Sequence, residues 1–390
     1  MCARKHALWL VSWYPDRLQP INGDFIERHA YAASRVVNVI VLHITKDPQI
    51  KAIQLETDYS RAPHLVVYRW YYPPSRFRIS WLQKLHHVWK YVRTAFRAYR
   101  LIQKKHPSID YIHVHVCWKA GLLALCLKRL FGNPYWISEH ASYFQPASPA
   151  SYWRDHGLKC WLIRLILRQA SLWLPVSADL GNRLRMVAGD KPIYVLPNAV
   201  DITLFTYQQK TRQREIRRFI HVSDMQPHKR PEAVIAAFER IARQLPEWEL
   251  QLVGPWRGEL EKKILGSPYA DRMCITGWLF PAEVALHLQD ADVFVMCSDY
   301  ENQPCALLEA LCCGLPVIAT RVGGIPEIVH EGNGKLIPPG DELALANAML
   351  EVARQLPYFD RHIIACEAQA CFGYPAITEH FKQVYDCPGN

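Results

Sequence analysis

The stretch from Ser298 to Thr320, SDYENQPCALLEALCCGLPVIAT, is typical of a loop followed by an apolar helix and a buried strand. Two glutamates, Glu301 and Glu309, lie inside this apolar segment. A buried carboxylate without a partner costs several kcal/mol, so each one must be solvated, paired or bound to a ligand. The purely structural alternative is that Glu301 favours a helix N-terminus and Glu309 forms a salt bridge.

Apolar runs alternate with helical patterns along the chain. The runs include VVNVIVLHIT, YIHVHVC and SLWLPVS in the first half and RRFIHVSD, ELQLVG and DVFVMCS in the second. Continuous apolar strands between helices are typical of a parallel sheet that is covered on both faces. Because 390 residues exceed one ordinary core, we predict an α/β protein with two Rossmann-like, doubly wound domains.

The boundary between these domains is predicted near residues 203–216, where the chain becomes polar and loses its apolar periodicity. We predict an N-terminal domain over 1–205, a C-terminal domain over 206–372, and a last segment, 373–390, that crosses back to the first domain. The formal net charge is +10, yet residues 1–210 carry 29 Lys and Arg against 12 Asp and Glu. This asymmetry assigns the anionic partner to the first half.

The sequence also indicates a compartment. No apolar run is long enough to predict a membrane-spanning helix. The short N-terminal run before Pro15 lacks a small-residue cleavage site, so we interpret it as a strand and not as a signal peptide. The twelve cysteines form no CxxC or zinc-type spacing, which is typical of reduced thiols, so we predict a cytoplasmic protein.

A basic segment, residues 76–105, lies within a stretch that has no Asp or Glu between Asp58 and Asp110. Apolar residues recur in it at helical spacing, with tryptophans and basic residues beside them. This composition is typical of a helix on an anionic membrane surface, and we predict peripheral contact with the inner face of the cytoplasmic membrane. An ordinary solvated helix face is the alternative. The aromatic residues form no RNA-binding motif, so we predict no nucleic-acid partner.

The helix in the opening stretch suits a phosphate. Pro304 fits the first helical position, because its missing N–H is no loss there. The amides of Cys305, Ala306 and Leu307 would then point out of the helix start, and their side chains leave room for an anion.

Six segments in one order resemble the retaining glycosyltransferases of family 4: SLWLPVS, VLPNAVD, VSDMQPHKRPEAVIAAF, CITGWLFPAEV, DADVFVMCS and ENQPCALLEALCCGLPVIATRVGGIPEIV. The resemblance covers nearly the whole chain and is strongest over residues 170–345. It implies the GT-B architecture, in which two Rossmann-like domains face a cleft that binds a nucleotide diphosphate sugar.

The resemblance also implies roles for single residues. Glu301 would contact the transferred sugar and Glu309 the nucleotide ribose, while the amides of Cys305 and Ala306 would bind the diphosphate. Lys229 would neutralise the diphosphate, whose charge grows as it departs. A solvated lysine at a helix start is the alternative for Lys229.

Four further positions follow from the resemblance. Relatives hold the base through backbone atoms near Gly277, so UDP-sugar and GDP-mannose donors both remain open. His140 would stabilise positive charge near the anomeric carbon or position the acceptor; a core histidine is the alternative. Asn22 and Gly23 lie in a loop near the acceptor and the donor phosphate, although a tight turn explains the glycine almost as well.

One position departs from the family pattern. Relatives commonly carry a Gly-Arg pair shortly before the lysine, and this chain has Ser223-Asp224 there. An acid cannot do the work of that arginine, which is to bring a positive charge to the diphosphate. Either Arg230 or another basic residue replaces the arginine, or Lys229 and the helix amides suffice, or donor binding is weak.

Two patterns resemble metal sites but are interpreted as structural. Asp290-Ala291-Asp292 matches a DxD motif, yet it joins a predicted helix to a buried strand, so we expect a cap and a strand-entry residue. His113 and His115 alternate on a strand without nearby acidic or cysteine ligands. We expect His113 to pack in the core and keep His115 as a candidate cleft residue. We therefore predict no required metal or cofactor.

These features predict a hexosyltransferase-type enzyme that moves a sugar to a hydroxyl of a glycan or lipid-linked acceptor in surface polysaccharide or lipopolysaccharide biosynthesis. Two alternatives stay open. One is a nucleotide-sugar epimerase or hydrolase on the same fold, and the other is a catalytically silent GT-B protein that binds glycan or lipid.

Overall fold

The computed structural model describes residues 4–75, 77, 79–209, 216–256 and 258–386. Residues 210–215 of the predicted hinge, Arg76 and Arg78 of the basic segment, and the last four residues lie outside this part. The predicted α/β class is confirmed, because the described residues form two mainly parallel sheets in series, each flanked by helices.

The first sheet has the strand order β3-β4-β2-β1-β5-β6-β7. Its strands are β1 (His6–Val11), β2 (Asn38–Lys46), β3 (Gln54–Asp58), β4 (Leu65–Tyr72), β5 (Tyr111–His115), β6 (Tyr135–Glu139) and β7 (Leu172–Pro175). Its helices are α1 (Asp24–Ala33), α2 (Ser80–Lys105), α3 (Ala120–Phe131), α4 (Leu158–Gln169) and α5 (Ala178–Ala188). The strand pairs are parallel except β3 and β4.

The second sheet has the strand order β10-β9-β8-β11-β12-β13, with parallel pairs throughout. Its strands are β8 (Arg217–Val222), β9 (Trp248–Val253), β10 (Met273–Ile275), β11 (Val293–Met296), β12 (Val317–Thr320) and β13 (Gly334–Ile337). The helices of this half are α6 (Pro231–Ile241), α7 (Gly258–Leu265), α8 (Pro281–Asp290), α9 (Cys305–Cys312), α10 (Glu342–Gln355), α11 (Arg361–Phe372) and α12 (Tyr374–Asp386).

The hairpin of β3 and β4 was not predicted. Strand β3 is polar and mostly exposed, so it lacks the apolar pattern of the other strands. It is held at the sheet edge by Arg69 of β4, whose guanidinium lies 3.3 Å from both Glu56 and Asp58. Pairing of charges across two strands has no periodic signature in the sequence.

Helix α12 packs on the first domain, beside α1. The indole N–H of Trp9 donates to the Tyr385 hydroxyl at 2.9 Å, and the same hydroxyl lies 2.9 Å from Nδ1 of His113. Phe381 is fully buried in the same core. The end of the described chain therefore stabilises the first domain although it follows the second in sequence.

The carboxyl ends of strands from both sheets lead into one space between the domains. Trp13 and His140 follow β1 and β6, Asp224 follows β8, and Glu301 follows β11, and all four line the same cavity. Ligands of open α/β sheets bind at this end of the strands. None of the described helices combines the length and the apolar character that crossing a bilayer requires.

Candidate functional site between the domains

The cavity between the domains has a volume of about 300 Å³. Four of the predicted site residues line it, namely His140, Lys229, Glu301 and Cys305. Phe25 of α1 closes one side, and its ring centroid lies 4.7 Å from that of His140. Residues from both domains thus contribute to a single site.

Helix α9 starts at this cavity. It begins at Cys305, so Pro304 precedes the helix, with φ −72° and ψ 121°, and does not occupy its first position. The amide of Leu307 already donates to the Pro304 carbonyl at 3.2 Å. The amides of Cys305 and Ala306 are those that an α-helix leaves without an intrahelical acceptor, which suits them to an anion.

Lys229 and Glu301 form an ion pair in the cavity wall. The Lys229 ammonium donates to the Glu301 carboxylate at 2.5 Å. The side chains are only 16% and 9% exposed, so Lys229 is not the solvated lysine of the alternative interpretation. Burial opposes the charge of Lys229, but the nearby Glu301 carboxylate outweighs it and raises the pKa of the lysine. A permanent cation therefore lies beside α9.

The loop before α9 is held by the first domain. The Gln145 amide donates to the carbonyl of Glu301 at 2.8 Å and to the side-chain oxygen of Asn302 at 2.7 Å. Asn302 in turn donates to the backbone carbonyl of His140 at 2.8 Å. Gln145 was not predicted from the sequence, because it lies in an irregular segment after β6 that has no recognisable motif.

Two more contacts hold the domains together. The backbone amide of Asn198 donates to Oε1 of Gln303 at 2.6 Å. The side-chain amide of Asn198 donates to the backbone carbonyl of Gln303 at 2.9 Å. The Glu327 carboxylate accepts from the first two amides of α5, those of Ala178 and Asp179, both at 2.8 Å. A carboxylate at a helix N-terminus is favourable, so this contact stabilises the interface between the two domains.

Glu309 is paired across the interface. Arg28 of α1 lies 2.6 Å from the Glu309 carboxylate and 2.9 Å from Asp24. Burial raises the pKa of Glu309, and the charge of Arg28 opposes the shift. This pair is the salt bridge of the structural alternative, and contact of Glu309 with a ribose stays a prediction. Arg28 was missed because its partner lies 281 residues away.

Asp224, the residue that departs from the family pattern, lines the cavity. Arg230, offered as a substitute for the missing arginine, is oriented elsewhere: its guanidinium lies 3.2 Å from Glu342 and 3.8 Å from Asp299. The second buried cation near the start of α9 is Arg28, whose charge influences the Cys305 thiol. Like Arg230, Arg28 is already paired with carboxylates, those of Asp24 and Glu309, and it does not line the cavity.

His140 has a fixed backbone. The carboxylate of Glu139 accepts hydrogen bonds from the amides of Cys117, His140 and Ala141, all within 2.8–2.9 Å. Burial, helped by nearby His29, lowers the pKa of His140 well below its ordinary value, so its ring is neutral. A neutral imidazole at the cavity wall can donate one hydrogen bond and accept another.

The ring nitrogens of His29, His115 and His140 lie within 4.8 Å of one another. Burial lowers the pKa of each ring, and neutral imidazoles are the form that binds Zn²⁺ and related ions. His115 is fully buried beneath the cavity and does not line it. His113 packs as expected, between the Tyr385 hydroxyl and Ser138.

The remaining predicted residues lie outside the cavity lining. Gly277 has φ +82°, and a Cβ there would come 2.3 Å from the Trp256 indole. Gly23 has φ +78°, and a Cβ would meet the backbone of Trp13 at 2.7 Å, so Gly23 positions a cavity residue. The side chain of Asn22 donates to Gln19 at 2.7 Å.

The DxD-like residues Asp290 and Asp292 both contact Arg218, at the end of the second sheet that is opposite the cavity. Asp290 lies 2.7 Å from the Arg218 guanidinium, and the carboxylate of Asp292 accepts from the Arg218 amide at 2.8 Å. Asp290 ends α8 and Asp292 precedes β11.

Replacing Arg28 with Met should leave the Glu309 carboxylate buried without its cation and cost about 3–5 kcal/mol of stability. Because the pKa of Glu309 is raised, the carboxyl takes up a proton as the pH falls. The loss relative to wild type should therefore be smaller at about pH 5 than at about pH 8, measured by chemical unfolding.

The control is Arg61→Met, which removes a half-exposed cation 3.4 Å from Glu27 and Asp58. It should cost no more than about 1 kcal/mol. Adding Glu309→Gln to the Arg28 variant should abolish the extra pH dependence. An unchanged pH dependence in that double variant would contradict the assignment.

Comparison with known proteins agrees with this geometry. Residues 33–204 match the family model described as Glycosyltransferase Family 4, and residues 216–355 match the model described as Glycosyl transferases group 1. The chain is 32% identical over 199 residues to the putative colanic acid biosynthesis glycosyltransferase WcaL of Salmonella typhimurium, which covers 48% of this chain and 49% of WcaL. It thus spans about half the length of that relative.

A second relative is N-acetyl-alpha-D-glucosaminyl L-malate synthase of Bacillus anthracis, 27% identical over 258 residues, with 63% of this chain and 66% of the relative covered. Sucrose-phosphate synthase of Thermosynechococcus elongatus has a TM-score of 0.78 at 22% identity and 98% coverage of both chains. Anabaena HepE in complex with UDP has a TM-score of 0.73 at 18% identity, covering 98% and 99%. The chain therefore belongs to the glycosyltransferases of group 1 and family 4 and has their GT-B fold.

Proposed function

We propose that the protein is a retaining glycosyltransferase that moves a hexose from a nucleotide diphosphate sugar to a hydroxyl acceptor. The observation that carries the proposal is the meeting of Lys229, Glu301, His140 and the start of α9 in one interdomain cavity. The solved complexes of HepE with UDP and with UDP-glucose support a donor of this class.

The diphosphate of the donor would bind at the start of α9. The amides of Cys305 and Ala306 and the ammonium of Lys229 supply the positive charge that a departing diphosphate requires. Lys229 is paired with Glu301 in this structure. Binding of the diphosphate would therefore draw Lys229 toward the phosphate and free oxygens of Glu301 for hydroxyls of the sugar.

On the opposite wall, His140 would contact the sugar or position the acceptor. Its neutral ring can accept a hydrogen bond from a sugar hydroxyl, and its carbonyl is already fixed by Asn302. The diphosphate would depart and the acceptor hydroxyl attack on the same face of the sugar, which retains the configuration at the anomeric carbon. The proposal requires no metal and no further cofactor.

The acceptor is proposed to be a growing glycan or a lipid-linked glycan of surface polysaccharide or lipopolysaccharide biosynthesis. The printed name of WcaL, a colanic acid biosynthesis glycosyltransferase, supports a polysaccharide. We place the protein in the cytoplasm, at the inner face of the membrane, because the first half of α2 exposes tryptophans among basic residues. Asp224 in the cavity favours one competing function, a silent protein that binds glycan or lipid.

Glu301→Ala should lower the transfer rate by at least about 100-fold, because the sugar loses a contact that also orients Lys229. Glu301→Gln, which keeps the side-chain shape, should lose nearly as much. The control is Glu331→Ala, at an exposed position outside the cavity. Near-normal turnover of the Glu301 variants, measured by release of nucleoside diphosphate, would refute the site assignment.

Calorimetric titration should give binding of either UDP or GDP, with a clear preference. Lys229→Met should weaken that binding by about tenfold or more, since a charge-assisted contact to phosphate is lost. Lys262→Met, at an exposed position on α7, is the matched control. Binding of neither nucleotide would indicate the catalytically silent protein that binds glycan or lipid. Hydrolysis or epimerisation of the donor without an acceptor would indicate the nucleotide-sugar epimerase or hydrolase.

Treatment with EDTA should leave the transfer rate unchanged, because cations of the protein neutralise the diphosphate. The measurement is turnover before and after chelation, followed by metal analysis. If chelation removed an ion together with activity, and Zn²⁺ restored both, the cluster of His29, His115 and His140 would be the first place to seek it.

Vesicles with anionic lipid should sediment the protein at about 0.1 M salt, where surface attraction still acts over short range. Replacing Lys84 and Arg93 of α2 with Glu should abolish sedimentation, because both side chains are exposed on the basic face. The charge-matched control is Lys262→Glu with Arg243→Glu, in the second domain. Equal loss of sedimentation in both double variants would indicate that vesicle binding depends on the net charge of the protein and not on a membrane-facing helix.

A further inference from the structure

Helix α2 packs on the first domain only through its second half. Its buried residues all lie at or after Thr94: Thr94, Ala95, Ala98, Tyr99 and Ile102. Large apolar side chains of the first half are exposed instead, between 44% and 62%: Trp81, Leu85, Val88, Trp89 and Val92. Exposed apolar side chains in such number indicate a contact surface.

A groove follows from this packing. It lies between the first half of α2 and helix α3 and has a volume of about 570 Å³. Val88 and Val92 line it from α2, and Leu122 and Leu123 line it from α3. Because the two valines are also exposed, the groove opens on the face that α2 would turn to a membrane. Its size and apolar walls suit a hydrocarbon chain.

Two cations border the groove. Lys46 ends β2 and Lys119 immediately precedes α3, and both are exposed and line the groove. Lys119 has φ +66° and ψ −67°, a backbone conformation that a residue with a side chain rarely adopts. Strained backbone of this kind is concentrated at binding sites. Two lysines beside an apolar groove are complementary to a hydrocarbon chain that ends in a phosphate.

The groove lies next to the candidate active site. Ser12 lines the groove, and the next residue, Trp13, lines the interdomain cavity. The Ser12 hydroxyl donates to the Val116 carbonyl at 3.0 Å, which fixes this junction at the carboxyl ends of β1 and β5. The Ala120 amide also donates to the Ser12 hydroxyl at 3.3 Å, so Lys119, which precedes Ala120, lies at the end of the groove nearest the cavity.

We propose that this groove binds the hydrocarbon chain of a lipid acceptor whose head group carries phosphate. Lys46 and Lys119 contact the phosphate, and the glycan attached to it extends past Ser12 into the cavity. The proposal rests on the proposed transferase function, since it names the class of acceptor for that site. It gives a role to the exposed Val88 and Val92 of α2 and to two of the basic residues of the same domain.

The test is binding of farnesyl diphosphate, followed by calorimetry, with inorganic diphosphate as the probe without a chain. Farnesyl diphosphate should bind at least about tenfold more tightly than inorganic diphosphate. Val92→Trp and Leu122→Trp should each weaken farnesyl diphosphate binding by about tenfold or more, because the new indole fills the groove. Lys119→Glu should weaken it as well.

The controls are Leu85→Trp and Lys84→Glu, on α2 but outside the groove lining. Both should bind the probe like wild type. Equal binding by the groove variants and by Leu85→Trp would overturn the proposal, and so would competition by UDP, which would place the probe in the donor cavity. Binding of UDP is measured on every variant. If the wild-type protein binds UDP but does not bind farnesyl diphosphate more tightly than inorganic diphosphate, the groove proposal alone is refuted. If it binds farnesyl diphosphate in a Val92-dependent way but binds no UDP, the transferase proposal alone is refuted.

Discussion

The conformation of the loop of residues 301–304 depends on contact between the two domains. Its carbonyls and side chains are buried, and they are satisfied by Gln145, Asn198 and the His140 backbone of the opposite domain. Buried polar groups without these partners would each cost about 1–3 kcal/mol. The same bonds that join the domains therefore set the position of Glu301 relative to His140.

Charge is balanced in pairs around the start of α9. Glu301 faces Lys229, and Glu309 faces Arg28, so neither carboxylate of this apolar segment is buried alone. A pair of this kind gives little net stability, but it keeps one cation, Lys229, in the cavity lining and a second, Arg28, beside Glu309 of α9. In the proposed function, an incoming diphosphate would replace the Glu301 carboxylate as the partner of Lys229, so donor binding would release Glu301.

The repeated strands and the glutamates of the α9 segment could be predicted from the sequence, because apolar periodicity and motif order are local. Arg28, Gln145 and Asn198 could not, since their partners belong to the other domain and no spacing records them. Arg28 forms an i,i+4 pair with Asp24 that sequence could suggest, but its contact with Glu309 depends on how the domains meet. The polar strand β3 was missed for a different reason: it is polar and mostly exposed, and its charged residues pair with Arg69 of β4, so it lacks the apolar pattern that marks the other strands.

The central claim is that both domains bind one donor at the start of α9. A crystal structure of the protein with bound UDP tests it most directly. The account predicts the diphosphate within hydrogen-bond distance of the Cys305 or Ala306 amide and of the Lys229 ammonium, with Glu301 turned to the space left for the sugar. A diphosphate bound elsewhere, with the pair of Lys229 and Glu301 undisturbed, would contradict it.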